Sequence, residues 1–155
     1  RFGNVDARMV GMDADFGWQL GQFWRIEGVV SIVRGERRDL GDDLYRISPD
    51  RFRLGLAYAR SAWSITLEGM AVAAQERVSD TNSEVETAGY GLFNLHGDWK
   101  LSESLHISGG IENLFDREYR DHLSGYNRVR NSDVTVGERL PGVGRNVFFR
   151  LSWRR

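Results

Sequence analysis

The chain has 155 residues, enough for one ordinary domain, and 21 Lys and Arg against 22 Asp and Glu give a net charge of −1. This balance argues against a nucleic-acid partner, which requires a dominant basic surface. The absence of cysteine excludes a disulfide framework, a thiolate zinc site and a cysteine nucleophile. No stretch approaches the roughly 18 consecutive apolar residues of a membrane-spanning helix. The mean hydropathy of −0.45 still fits a membrane β-barrel, because barrel strands are apolar only at every second position.

Alternation of apolar and polar residues predicts about seven β-strands and no helix. The first strand runs from Asn4 to about Gly17, and a change of phase near Met9 and Val10 predicts a β-bulge there. The other strands are predicted at 23–35, 51–58, 63–71, 91–100, 105–112 and 145–153. Several reach the roughly 9–11 residues that a tilted strand needs to cross a membrane.

The connections between these strands alternate in length. Tight turns are predicted near 18–21, 60–62 and 100–104, and long loops near 35–50, 77–87 and 114–144. Short turns on one side and long loops on the other are typical of outer-membrane barrels, whereas a soluble sandwich predicts no such asymmetry. Tryptophans at or near strand ends fit an aromatic belt at a membrane boundary: Trp24, Trp63, Trp99 and Trp153.

The histidines and carboxylates form no recognisable catalytic constellation. His96 and His106 are predicted to face each other across a hairpin, where they either share a metal or fill a polar interior. The carboxylates between Asp39 and Asp43 lack the spacing of an EF-hand loop, so solvated charge is preferred over a Ca²⁺ site. No nucleophile elbow or spaced triad occurs. The sequence therefore predicts no enzyme, no resident metal and no cofactor.

The connection from Phe115 to Arg145 is longer than an ordinary structureless loop, and such loops are usually functional or disordered. Its tyrosines and arginines are able to hold an anionic or catecholate-like ligand by stacking and charge-assisted hydrogen bonds. Together with the loop before Pro49, it supplies the residues predicted to contact ligand: Tyr45, Arg46, Tyr119, His122, Tyr126, Arg128 and Arg139.

The stretch Leu105–Asp116, a strand followed by Asn-Leu-Phe-Asp, resembles the C-terminal region of TonB-dependent outer-membrane receptors. The segments Tyr119–Asn127 and Gly137–Arg145, and a closing strand with Trp153 near its end, strengthen the resemblance, and segments within 34–49 and 63–68 are also similar to the family. The resemblance implies an all-β, antiparallel transmembrane β-barrel of roughly 22 strands around a plug. Residues 1–155 would form a C-terminal portion of about seven strands, without the plug domain.

The resemblance also implies a function: TonB-energised uptake of a scarce ligand such as a ferric siderophore, haem, cobalamin or metal complex. The implied location is the outer membrane of a Gram-negative bacterium. The implied partners are outer-membrane lipid, the plug domain and through it TonB, and a small iron- or metal-containing ligand. A periplasmic C-terminus would make the long loops extracellular. The polar faces would then present to the lumen and plug Arg25, Glu27, Arg53, Glu68, His96, His106, Glu112 and Arg150.

Two other classes of protein stay open on sequence alone. A soluble β-sandwich or lipocalin-like binding module would bury the apolar faces as a core, although it could not bury so many opposite-face charges unpaired. A non-transporting structural barrel or adhesin would share the barrel itself. Two features depart from the family pattern: residues 1–155 are expected to lack the plug domain and its TonB-contacting segment, and Trp153 is followed by Arg154 and Arg155, whereas the family usually ends on an aromatic residue.

Overall fold

A computed structural model describes residues 4–154 and places them in one open antiparallel sheet. The strands are β1 Ala7–Leu20, β2 Trp24–Arg37, β3 Asp42–Asp43, β4 Arg51–Ala59, β5 Trp63–Val72, β6 Tyr90–Lys100, β7 Leu105–Glu112 and β8 Asn146–Trp153. Their order is β1-β2-β4-β5-β6-β7-β8, and the short β3 pairs with β2. Within residues 4–154 no helix is long and apolar enough to cross a membrane. The prediction of an all-β antiparallel fold with seven long strands is confirmed.

Each long strand is joined to the next as a hairpin, so short and long connections separate to opposite ends of the sheet. We call the end with residues 21–23, 60–62 and 101–104 the turn end. The loop end carries loop A (38–50, which includes β3), loop B (73–89) and loop C (113–145). The first turn was predicted at 18–21, but β1 continues to Leu20 and Gly21 makes the reversal with a φ of 67°.

The bulge predicted near Met9 and Val10 is absent. β1 pairs with β2 in one continuous register, from Ala7 opposite Arg37 to Leu20 opposite Trp24, whereas a bulge would shift the pairing by one residue. Met9 and Val10 are both exposed on this edge strand, so burial does not force their side chains onto one face.

One face of the sheet is apolar and uncovered. Leu56, Leu67 and Leu95 lie side by side on it in β4, β5 and β6, and Leu67 is 44% exposed. The buried hydrophobic residues in the described part of the chain, Val72 and two on β6, lie on the opposite face. A sandwich would cover the apolar face with a second sheet, and no described element does so. This face therefore requires apolar surroundings.

All five tryptophans lie on the apolar face near the turn end: Trp18, Trp24, Trp63, Trp99 and Trp153. Trp63 pairs directly with Trp99, and Trp24 meets Tyr58 edge to face with ring centroids 4.8 Å apart. A row of amphipathic rings at one level of a sheet is typical of the boundary between hydrocarbon and water. Trp18 extends the row beyond the four predicted residues.

Candidate ligand-binding surface at the loop end

The Asn-Leu-Phe-Asp segment closes the base of loop C. Asn113 is 3% exposed, and its φ of 50° is a left-handed conformation that asparagine tolerates. Its amide nitrogen donates to the carbonyls of Arg117 at 2.8 Å and Val143 at 3.2 Å, and its Oδ1 accepts the Arg117 N–H at 2.8 Å. Asp116 accepts the Arg145 N–H at 2.7 Å. These two side chains join the start of loop C to its end.

Replacing Asn113 by alanine is expected to loosen this base by roughly 3 kcal/mol, because three hydrogen bonds of a buried amide are lost. Asn113→Gly, which relaxes the positive φ, should be less harmful than alanine but still weaker than the parent. Hydrogen exchange of the Arg117 amide in the full-length parent measures the effect. The exposed Arg130→Ala serves as control, and unchanged exchange in Asn113→Ala would refute the clamp.

Loops A, B and C meet at a buried pair, Glu84 and His122. His122 is 1% exposed, with Nδ1 2.9 Å from Thr87 Oγ1 and Nε2 3.0 Å from Glu84 Oε1. The Glu84 carboxylate also accepts the backbone N–H groups of Arg46 at 2.9 Å and Ser79 at 3.1 Å. These contacts fit a neutral imidazole that donates from Nε2 and accepts at Nδ1. We call these residues the three-loop junction.

The three-loop junction is expected to weaken in acid. Burial lowers the pKa of His122, and the Arg139 charge adds to this, against the raising effect of Glu84 and Asp121. A folded-state pKa below the ordinary 6.5 means that the unfolded chain binds the proton more tightly. Stability is therefore complete above about pH 6.5 and is lost as the pH falls through that value toward the folded pKa.

The measurement is hydrogen exchange of loops B and C at about pH 7.5 and about pH 5.5, corrected for intrinsic rates, with faster exchange expected in acid. His122→Gln keeps an N–H donor for Glu84 but does not titrate. Its loops should show no extra exchange in acid. Equal acid sensitivity in both proteins would assign the effect to another group.

Arg139 is the second buried group that links the loops. It is 7% exposed, and its guanidinium donates to the carbonyls of His122, Ser124 (3.3 Å) and Val85 (3.3 Å). It also donates to the Tyr126 hydroxyl at 2.7 Å and lies 4.7 Å from the centre of that ring. One planar fork thus joins loop B to two parts of loop C, a task that suits arginine.

Asp121 fixes loop C to the sheet. Its carboxylate accepts the Arg51 guanidinium at 2.7 Å, the Tyr90 hydroxyl at 2.8 Å and the Leu123 N–H at 2.9 Å. Burial alone would raise the pKa of Asp121, but these hydrogen bonds and the Arg51 charge outweigh it and hold the pKa below its usual range. Beside it, Tyr119 packs on Tyr90 with ring centroids 4.5 Å apart.

In loop A, Asp42 has a structural contact that the sequence did not predict. It accepts the N–H groups of Asp80 at 2.9 Å and Thr81 at 3.0 Å and the Ser79 hydroxyl at 3.0 Å. Hydrogen bonds from Thr81 above all, and then from Asp80 and Ser79, hold the pKa of Asp42 far below its usual range. The interpretation of this charge as merely solvated was wrong for Asp42, which caps the 3₁₀ turn of loop B.

Loops B and C enclose an open cleft of about 700 Å³. Its wall carries the aromatic rings of Tyr119 and Tyr126, the exposed Arg117, and Arg120 among carboxylates. Arg120 lies 3.6 Å from Glu118 and further carboxylates line the same wall, so the cleft carries both signs of charge. Aromatic faces with mixed charged donors and acceptors are suited to a polar ligand with a flat or anionic part.

The residues predicted to contact ligand separate into three groups. Tyr119, Tyr126 and Arg139 line the cleft, although Arg139 is largely buried behind it. His122 is buried with both ring nitrogens occupied, so in this arrangement it holds loops together and does not face a ligand. The remaining three are exposed on loop A or at the tip of loop C: Tyr45, Arg46 and Arg128. Ligand contact stays a prediction for all of them.

The eight polar residues expected toward the lumen lie on the polar face of the sheet: Arg25, Glu27, Arg53, Glu68, His96, His106, Glu112 and Arg150. Arg53 lies 3.5 Å from Glu68, and Asn146 donates to Glu112 at 3.1 Å. Paired charges on an open face remain solvated without a large desolvation cost. Their contact with a plug stays a prediction.

The two strand histidines do not face each other. His96 lies opposite Gly110, and His106 lies opposite Lys100, because the hairpin is centred near residue 103 rather than 101. The four-residue offset separates them by about 13 Å along the strands. A shared metal between them is therefore excluded, and no group of three or more His, Cys, Asp or Glu in residues 4–154 is placed to hold one.

An open antiparallel sheet with an exposed apolar face, tryptophans at one end and interlocked long loops at the other defines a segment of an outer-membrane β-barrel. The family model described as "TonB dependent receptor-like, beta-barrel" matches residues 1–114, and the chain belongs to this family. The soluble sandwich and lipocalin-like alternatives are thereby excluded.

The comparisons with individual proteins agree. The vitamin B12 transporter BtuB of Vibrio vulnificus (strain YJ016) is 27% identical over 153 residues, which cover 97% of this chain and 22% of BtuB. The copper transporter OprC superposes with a TM-score of 0.92 at 27% identity, over 97% of this chain and 24% of OprC. The ferric yersiniabactin uptake receptor FyuA from Yersinia pestis, at 18% identity, shares the fold with a TM-score of 0.69 over 95% of this chain and 23% of its own. The chain thus spans about a quarter of the length of these relatives.

Proposed function

We propose that this chain is the C-terminal portion of the barrel of an outer-membrane receptor that takes up a scarce small ligand with energy delivered through TonB. The plug domain, on this proposal, is another part of the same protein and lies against the polar face. The observation that carries the proposal is the uncovered apolar face, bounded by tryptophans at one end and interlocked loops at the other. Membership of the receptor family and the transport activities named for BtuB, OprC and FyuA support it.

On this proposal the apolar face meets outer-membrane lipid, and the loop end lies outside the cell. Loops B and C then form part of the vestibule through which ligand reaches the plug. Tyr119, Tyr126 and Arg117 are the side chains that the cleft offers to a ligand. Their chemistry suits a small iron- or metal-containing complex with aromatic or anionic groups, such as a ferric siderophore, haem or cobalamin.

The experiment is uptake by cells that express the full-length parent, compared with cells that lack it. Labelled cobalamin, ferric siderophores, haem and copper are offered separately, with and without a protonophore or loss of TonB. One ligand should accumulate only in cells that have the parent protein, the proton gradient and TonB. Accumulation that persists without TonB would indicate a passive pore, and no accumulation of any of them would remove the uptake proposal.

Two arginine variants test the cleft itself. Arg117→Ala removes an exposed charge from the cleft wall, whereas Arg130→Ala removes one from the tip of loop C, away from the cleft. The first should raise the ligand concentration for half-maximal uptake several-fold, in line with about 1–2 kcal/mol for one charged hydrogen bond, and the second should not. Equal effects would mean that the cleft does not contact the ligand.

A further inference from the structure

A groove runs along the apolar face near the turn end. Gly97 of β6 lies directly opposite Gly109 of β7, so backbone forms its floor, and Trp63, Trp99 and Ile107 form its walls. Its volume is about 510 Å³. A β-carbon at Gly97 would approach other atoms no closer than 3.8 Å, so packing does not require glycine there. Gly97 and Gly109 leave an open apolar channel between the large side chains of Trp63, Trp99 and Ile107.

A cation lies at the same end of the apolar face. The Arg60 guanidinium sits 3.7 Å from the centre of the Phe23 ring, and its Nε donates to the Tyr58 hydroxyl at 2.8 Å. Four N–H donors remain on its two terminal nitrogens, and the side chain is exposed. Tyr58 packs against Trp63 with ring centroids 5.5 Å apart, and Trp63 is also a wall of the groove. A row of packed aromatic rings, Phe23, Tyr58 and Trp63, therefore runs from the cation to the groove.

Other charged residues at this edge of the sheet lie on its polar face. Lys100 follows Trp99 in β6 and therefore lies on the polar face, although its backbone N–H donates to the carbonyl of Ala62 at 2.7 Å in the turn that carries Arg60. Arg154 follows β8 at the same end and, like Lys100, lines the polar side of this edge together with the exposed carboxylates of Asp98 and Glu103. Arg60 stays on the apolar side, against Phe23 and Tyr58. A cation held on aromatic rings at the level of the tryptophans, at the same end as an apolar groove, is complementary to a phosphate that carries a hydrocarbon chain.

We infer that Arg60 and the Gly97–Gly109 groove form a binding site for one phospholipid, with its phosphate at Arg60 and an acyl chain in the groove. The inference rests on the proposed membrane orientation, in which the turn end reaches the periplasmic leaflet. Arginine's fork binds two phosphate oxygens at once, which a lysine cannot reproduce. The acyl chain covers the tryptophan rings and the glycine backbone with hydrocarbon. A lipid whose chain fills the groove should therefore stay bound longer than a lipid elsewhere on the apolar face.

The test counts lipid retained by the full-length parent after purification in mild detergent, by native mass spectrometry, with phosphatidylglycerol and phosphatidylethanolamine supplied as probes. Arg60→Ala and Gly97→Leu should each lower the fraction carrying one lipid at least several-fold, and Arg60→Lys should lie between them and the parent. Gly91→Leu is the matched control, because it adds the same side chain to the same face of β6 at the loop end, where a β-carbon meets its nearest atom at 3.5 Å.

Retention that is unchanged in both Arg60→Ala and Gly97→Leu would overturn the site, as would a parent that retains no lipid. A second copy of the protein in place of lipid would appear as a dimer lost in Gly97→Leu, which also contradicts the inference. Gel mobility before and after heating confirms that each variant is folded. A parent protein that never enters a membrane fails the proposed function as well, whereas a parent that takes up its ligand but loses no lipid on mutation fails this inference alone.

Discussion

Replacing Leu67 by arginine is expected to prevent stable assembly of the full-length parent in the membrane. Leu67 lies in the middle of β5, between Leu56 and Leu95 on the apolar face, and its side chain is 44% exposed there. An arginine on the lipid face of a barrel costs about 2–4 kcal/mol near the midplane. The measurement is the midpoint of urea unfolding, together with the amount of heat-modifiable protein in the outer-membrane fraction.

Thr66→Arg is the matched control for Leu67→Arg. Thr66 is the preceding residue in the same strand and lies on the polar face beside His96 and Ala57, where a charge stays solvated. We expect it to assemble within about 0.5 kcal/mol of the parent. Good assembly of Leu67→Arg with failure of Thr66→Arg would mean that the two faces have been assigned the wrong way round.

Arg139→Ala is expected to open the loop end while leaving the sheet intact. The change removes hydrogen bonds to three carbonyls and the Tyr126 hydroxyl from a nearly buried position. Charged hydrogen bonds of this kind contribute roughly 1.5–3 kcal/mol each without adding fully, so a local loss of about 3–5 kcal/mol is expected. Hydrogen exchange at Leu140, whose N–H bonds to Gly125, should accelerate accordingly.

The choice of replacement separates charge from shape at this position. Arg139→Lys retains the charge but not the planar fork, so it should lose most of the protection that alanine loses. Arg128→Ala, at the exposed tip of loop C, should leave exchange unchanged. Protection at Leu140 that survives Arg139→Ala would show that Asp121 and the three-loop junction hold the loops without it.

The sheet was largely predictable because its signal repeats. Every strand except the start of β1 alternates, so the predicted faces of Trp24, Leu67 and Arg150 agree with the strand pairing even though the first turn lies later than predicted. Register within a hairpin was less secure, because it depends on the centre of the turn. The turn between β6 and β7 is centred two residues later than predicted, so His96 and His106 are not opposite each other.

The interior of the loop end was not predictable in the same way. Glu84 and His122 are 38 residues apart in sequence, and nothing in their local composition distinguishes a buried pair from two solvated side chains. In sequence, the Asn-Leu-Phe-Asp motif indicates only a resemblance to the family, and its physical role is the bonding of Asn113 to both Arg117 and Val143. Periodic burial can be read from sequence, whereas a hydrogen-bond network among irregular loops requires coordinates.

The placement of the tryptophans makes the two ends of this chain optically unequal. All five lie near the turn end, so indole emission from this segment reports on that edge of the sheet and not on loops A, B and C. An indole introduced at exposed Tyr45 would give the opposite end a signal of its own. In a full-length parent whose tryptophans outside residues 1–155 are replaced, emission from the two ends would then distinguish a conformational change at the loops from one at the turns.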